Sequence, residues 1–297
     1  MNSLTQVDSV ALFGSVPRGD ADRHSDRDVL VVSLQPASQV ESELTRAGFS
    51  PSFYSWQQLE NLAADGSLFL QHLKQESRIL LDRDGRLTDF LAAFQPRRDY
   101  SARIIENLQL FELTNGVPDV PTSVSWAFDV LAVALRNHAI LLLAQTGRYI
   151  FSFAELVAQL KVMHGLSDFE SSLLLELRTF KRKYRLHPHA VNVSLCRLQQ
   201  TQAVIEKVTG ADCLSLRQSP QEFGRRLLAT SSQTDHWYCL LRRYEGVHRS
   251  NGFVPLSDAS RELMELEHIF ANPSPYRPTG SDAIRWVREK VQSLATN

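Results

Sequence analysis

Residues 10–32, VALFGSVPRGDADRHSDRDVLVV, constrain the fold of this chain more than any other stretch. An apolar run from Val10 to Phe13 meets a turn at Gly14-Ser15. A polar loop follows, and Asp26-Arg27-Asp28 opens a second apolar run from Val29 to Val32. Two short β-type runs joined by a polar, glycine-bearing loop predict neighbouring strands. Residues i and i+2 of a strand face the same side. Asp26 and Asp28 therefore aim two carboxylates at one spot, at the start of a strand. Bare like charges repel there, which points to a divalent cation. Oxygen ligands of this kind suit Mg²⁺, which takes one or two carboxylates together with substrate phosphates.

The rest of the loop predicts a phosphate cradle. Gly14 lacks a Cβ, so its backbone can approach a ligand closely. Ser15 offers a hydroxyl and an amide. Arg18 offers a charge-assisted fork for phosphate oxygens. A metal held beside such a cradle is machinery for attack on a nucleoside triphosphate.

The stretch resembles the signature of the nucleotidyltransferase superfamily, the DNA polymerase beta-like fold, in its minimal and kanamycin-nucleotidyltransferase-like members. The residues that carry the resemblance are Gly14-Ser15, Arg18-Gly19-Asp20 and Ser25-Asp26-Arg27-Asp28-Val29-Leu30-Val31-Val32, with ten residues between Ser15 and Asp26. The resemblance implies transfer of a nucleoside monophosphate from an NTP to a hydroxyl, with release of pyrophosphate. It makes Asp26 and Asp28 the catalytic ligands of Mg²⁺ or Mn²⁺, and Gly14, Ser15 and Arg18 the nucleotide-binding residues. The acceptor is a protein side chain, an RNA end or a small molecule.

One part of the family pattern is missing. Active members supply a third carboxylate from a later strand, and the strand expected here, FSPSFYS from Phe49 to Ser55, contains no acid. Ser50 or Ser52 stands where the acid belongs. Glu60 and Asp65 read as surface charges, and Glu76 is the better substitute. Without a third carboxylate, base activation of the acceptor is weakened. A catalytically silent nucleotide sensor, or an antitoxin-like partner, is therefore the alternative.

The chain has 297 residues, enough for two domains, with ordinary apolar (43%) and charged (22%) content. A net charge of −1 gives no global field toward nucleic acid. Cys196, Cys213 and Cys239 are scattered without C-x-x-C spacing, which argues against a disulfide framework or a zinc site. No signal peptide is expected at MNSLTQVDSV and no apolar run reads as a membrane span, so the expected location is the cytoplasm and no membrane partner is expected.

The fold expected is α+β: a nucleotidyltransferase-like domain with a mixed sheet over residues 1–98, then an all-helical domain over 99–297. Strands are expected at about 8–13, 28–33, 49–55 and 78–82, with helices at 37–47 and 55–74. Beyond Pro96 the strand signals stop. Helix starts recur at Ser152-x-x-Glu155, Ser167-x-x-Glu170 and Ser219-Pro220-Gln221-Glu222. Helices are expected near 101–115, 122–146, 153–164, 168–186, 190–208, 220–230, 235–246, 258–271 and 281–294. The apolar helix around Trp126 to Ala144 is the expected centre of the bundle, interrupted by Arg136, Asn137 and His138. Arg136 is either part of a structural polar cluster or a substrate contact.

The basic stretch RTFKRKYRLHPH (Arg178, Lys181, Arg182, Lys183, Arg185, His187, with Tyr184 interleaved) is either a solvated helix end or a guide for RNA or triphosphate. Arg182-x4-His187 also resembles the loose pattern of helical HEPN ribonucleases, which makes an RNA-binding or RNA-cleaving module a further alternative. His236, Trp237, Tyr238 and Tyr244 read as core.

Overall fold

The computed structural model describes residues 7–21, 26–33, 38–187, 193–213, 217–229, 237–250 and 270. Contacts divide the chain into two compact units. One comprises Met1–Tyr100 with Leu143–Ser152, the other Ser101–Leu142 with Phe153–Asn297. The architecture is α+β: a mixed four-stranded sheet followed by helices.

In the first unit, β1 (Val7–Leu12), β2 (Asp28–Ser33), β3 (Ser50–Tyr54) and β4 (Arg78–Asp82) form a sheet of order β3-β2-β1-β4. β1 is antiparallel to β2 and β4, and β2 is parallel to β3. Residues 29–33 of β2, VLVVS, are buried throughout. A strand covered on both faces has no solvent side, so it reads as a continuous apolar run rather than an alternating one. On one face Leu12, Val29 and Val31 pack with Val40 and Leu44 of α2 (Ser38–Arg46). On the other, Ala11, Phe13, Leu30, Val32 and Tyr54 pack with α3 (Trp56–Ala64), α4 (Leu68–Glu76) and α5 (Arg86–Ala93). A one-turn helix, α1 (Ser15–Arg18), follows β1.

The single helix expected over 55–74 is two helices. Gly66 has φ +62°, and a Cβ there would lie 2.8 Å from the backbone nitrogen of Arg97. Ser67 then caps α4 by accepting from Phe69 N. Arg97 closes the turn through an ion pair with Asp65. The helix α5 carries no start signal of its own. Its cap is a carboxylate on the preceding strand, because Asp82 accepts from Leu87 N and Thr88 N at 2.9 Å and from Thr88 Oγ1 at 2.7 Å. Burial opposes the charge on Asp82, but these donors hold its carboxyl below the usual range.

The helical unit contains α6 (Ser101–Glu112), α7 (Pro121–Ala144), α8 (Phe153–His164), α9 (Asp168–Leu186), α10 (Leu195–Thr209), α11 (Pro220–Ala229) and α12 (Trp237–Ser250). Capping boxes form at Ser167/Glu170 and at Ser219/Glu222. The helices expected near 258–271 and 281–294 lie outside the described residues, apart from Phe270. Contrary to the sequence expectation, α7 is long and apolar enough to cross a membrane, with a mean hydropathy of 1.6. Its most apolar window is nevertheless 72% buried inside the protein, as befits a central bundle helix.

Candidate active site

The last pair of the β1–β2 ladder builds the site. Phe13 N donates to Asp28 O at 3.1 Å, which brings the next residue, Gly14, beside Asp28. Gly14 has φ 82° and ψ −145°, a conformation reserved for glycine. A Cβ there would stand 3.2 Å from Asp28 Oδ2. The chain thus presents a bare Cα to the carboxylate. Ser15 to Arg18 then form α1, closed by Gly19 at φ 81°.

Arg27, between the two acids, lays its guanidinium 4.0 Å over the Phe49 ring, on the α2 side of the sheet. The parallel ladder reaches back this far, since Ser50 N donates to Arg27 O at 3.0 Å. Alternation therefore turns Asp28 to the opposite face, that of Phe13 and α4. Asp26 is exposed two residues earlier, in the lead-in to β2. Ser25 lies outside the described residues. On β3, Ser50 stands directly across from Asp28 and Ser52 across from Leu30, so both serines share the Asp28 face.

Residues 1–107 match the nucleotidyltransferase domain family. No curated protein and no solved structure matches the chain. The match covers the whole sheet and the Gly14–Asp28 corner, and the general chemistry of that family is transfer of a nucleoside monophosphate.

Among the described residues of this domain, Asp28 is joined by no second and third ligand of the kind a protein-only metal cage needs; no group of three or more His, Cys, Asp or Glu gathers as a metal site. A cation held at Asp28 would have to take its other ligands from phosphates and water, as Mg²⁺ does. Glu76, the substitute considered for the third acid, has other partners. It forms an ion pair with Arg18 Nη1 and lies 2.8 Å from His72 Nε2. Burial opposes its charge, but His72 and then Arg18 hold its carboxyl below the usual range. Glu60 and Asp65 pair with Arg86 and Arg97, as surface charges do.

Arg18 is held from two sides. Its Nε donates to Asp20 Oδ2 at 3.1 Å, and its Nη1 meets Glu76. Burial would lower its pKa, but the bonds to Asp20 and Glu76 raise it. Asp20 also accepts from the Ser152 hydroxyl; burial opposes its charge, but Arg18 and then Ser152 hold its carboxyl below the usual range. This Ser152 contact has no local sequence signal, since its partners lie more than a hundred residues apart.

The other candidates lie in the helical unit. Arg136 is half-buried on α7. Arg178, Arg182 and His187 are exposed at the C-terminal part of α9, with Lys181 half-buried. The basic stretch is not uniformly solvated. Arg185 turns inward and donates through Nε and Nη2 to Asp129 at 2.7 and 2.8 Å. Tyr184, a stacking residue only in the RNA-guide alternative, is fully buried and donates to Glu245. Of the late aromatics, Tyr244 is core as expected and Tyr238 is half-buried, while His236 lies outside the described residues.

Proposed function

We propose that this protein is a nucleotidyltransferase that moves an NMP from an NTP to a hydroxyl acceptor and releases pyrophosphate. The observation that supports this most is the corner at which Gly14, bare of a Cβ, lies against Asp28 while Arg27 is tied down on the far face of the sheet. In this reading Asp26 and Asp28 hold Mg²⁺ or Mn²⁺. Such a cation, when bound, neutralises triphosphate charge and favours departure of pyrophosphate. Gly14 admits a phosphate oxygen to the corner. Ser15 donates to the β- and γ-phosphates through its amide and hydroxyl. Arg18 offsets the negative charge that builds on the leaving group. The acceptor is a protein side chain, an RNA end or a small molecule.

A second reading has its own support. Ser50 and Ser52 put hydroxyls, rather than a carboxylate, on β3 beside Asp28. A domain that binds NTP without turnover fits that feature. Incubation with each α-labelled NTP, Mg²⁺ or Mn²⁺, and separate pools of cellular RNA, protein and small molecules decides between the two. Label transferred to one pool, and lost in Asp26→Ala/Asp28→Ala, supports the transferase and identifies the acceptor class. NTP binding with no label in any pool supports the silent domain.

A further inference from the structure

We propose that Phe151 and Ser152 are positioning residues for Arg18, and that together they fix the direction in which its guanidinium meets a triphosphate. The proposal rests on the nucleotide-binding reading of Arg18.

The two residues are adjacent in sequence and both pack within the sheet-bearing unit. Phe151 is buried, and its ring stacks on His72 with centroids 4.4 Å apart and planes at 20°. Phe13, the residue before Gly14, meets the same imidazole edge-on at 5.7 Å. His72 Nε2 then lies 2.8 Å from Glu76 Oε2, and that same oxygen is the partner of Arg18 Nη1. On the other side Ser152 donates to Asp20, and Asp20 takes Arg18 through Nε at 3.1 Å and Nη2 at 3.1 Å. The interactions therefore run in a closed ring: Phe151, His72, Glu76, Arg18, Asp20, Ser152, and back through one peptide bond.

This ring decides which Arg18 donors remain. A guanidinium carries its N–H groups in a fixed planar fork. Nε and one N–H of Nη2 face Asp20, and one N–H of Nη1 faces Glu76. One N–H is left on each terminal nitrogen, on a group that cannot turn without breaking a carboxylate contact. Asp20 is 42% exposed and follows a one-turn helix, so it is poorly fixed by its own segment. Ser152 supplies the missing anchor. Glu76 depends in the same way on an imidazole held flat by Phe151. Neither strap residue needs to touch a nucleotide to orient the group that does.

The test measures calorimetric binding of inorganic tripolyphosphate, and of each NTP, with Mg²⁺, to the full chain and to strap variants. The native chain is expected to bind both probes. Phe151→Ala and Ser152→Ala are each expected to weaken both by about tenfold, the size of one lost hydrogen bond to a charged group. Phe151→Tyr and Ser152→Thr keep the ring and the hydroxyl, and are expected to retain native affinity. The double alanine variant is expected to lose less than the product of the single losses, because both act through Arg18.

Native affinity in both alanine variants, with affinity lost in Arg18→Ala, overturns the strap and leaves the nucleotide reading standing. Native affinity in Arg18→Ala, or no binding of either probe by the native chain, overturns both. Loss of affinity in the conservative variants as well, with an unchanged melting curve, also overturns the strap, since it would show that the ring and hydroxyl are not what orients Arg18.

Discussion

Replacing Gly14 by alanine isolates the central geometric claim. The backbone there has φ 82° and ψ −145°. A side chain in that region costs about 1–3 kcal/mol. The new Cβ would stand 3.2 Å from Asp28 Oδ2, so the carboxylate must give way by a few tenths of an ångström. Metal–ligand distances hold to within about 0.2 Å, so this displacement exceeds what a bound cation accepts. Gly48→Ala is the control. Its φ is +79°, yet nothing lies within 4 Å of its added Cβ. That variant carries a backbone cost of about 1–2 kcal/mol without moving Asp28. Both variants are expected to lower the urea midpoint. Only Gly14→Ala is expected to weaken calorimetric binding of Mg²⁺·NTP, by tenfold or more, about 1.4 kcal/mol. Native nucleotide affinity in a folded Gly14→Ala protein would refute the reasoning, because Asp28 would then not need the space that Gly14 leaves.

Other variants probe the frame around the site and the helical unit. Burial, and then the neighbouring His164, push the His138 imidazole down to about 4 from its ordinary 6.5. The unfolded chain therefore takes up the proton first. The stability this neutral ring contributes is complete above about pH 6.5 and is lost as pH falls toward 4, by about 3 kcal/mol. Urea titrations across that window should show the slope, and His138→Phe should flatten it. Asp129→Ala leaves Arg185 and the fully buried Arg242 without their shared carboxylate. It should destabilise the protein by about 3–5 kcal/mol in the same assay. Ser52→Asp restores an acid on the Asp28 face of β3, and should raise label transfer several-fold if the serine marks the missing carboxylate. An unchanged rate would argue that the missing acid does not limit transfer.

The strands were legible in the sequence because each carries its own local pattern. Val29 to Val32 is a continuous apolar run since β2 is covered on both faces, and the structure starts β2 at Asp28 as expected. The helix α9 was equally legible, since an amphipathic pattern with a cap is a local signal. The break between α3 and α4 was misread: its cause is the close approach of Arg97 to Gly66, a contact across thirty residues of sequence. Asp82 caps α5 from a strand, and no motif of helix starts includes that device. The approach of Gly14 to Asp28 was visible because the two strands place them by register. The cage around Arg18 was not, because Glu76 lies 58 residues away in sequence and is brought near only by packing of α4 on the sheet. The inward turn of Arg185 had the same origin. Its partner Asp129 sits on another helix, and a run of basic residues looks alike whether one of them is buried or none.

The placement of Phe151 and Ser152 also sets an order of events during synthesis. Residues through Tyr100 complete the sheet and its covering helices, but the ring that stacks on His72 is about fifty residues further on. At about 5–20 residues per second, the growing chain carries a finished sheet with an unfinished corner for roughly 3–10 s. A fragment that ends at residue 107 spans the entire family match and yet remains permanently at that stage, with one face of His72 bare and Asp20 without its serine.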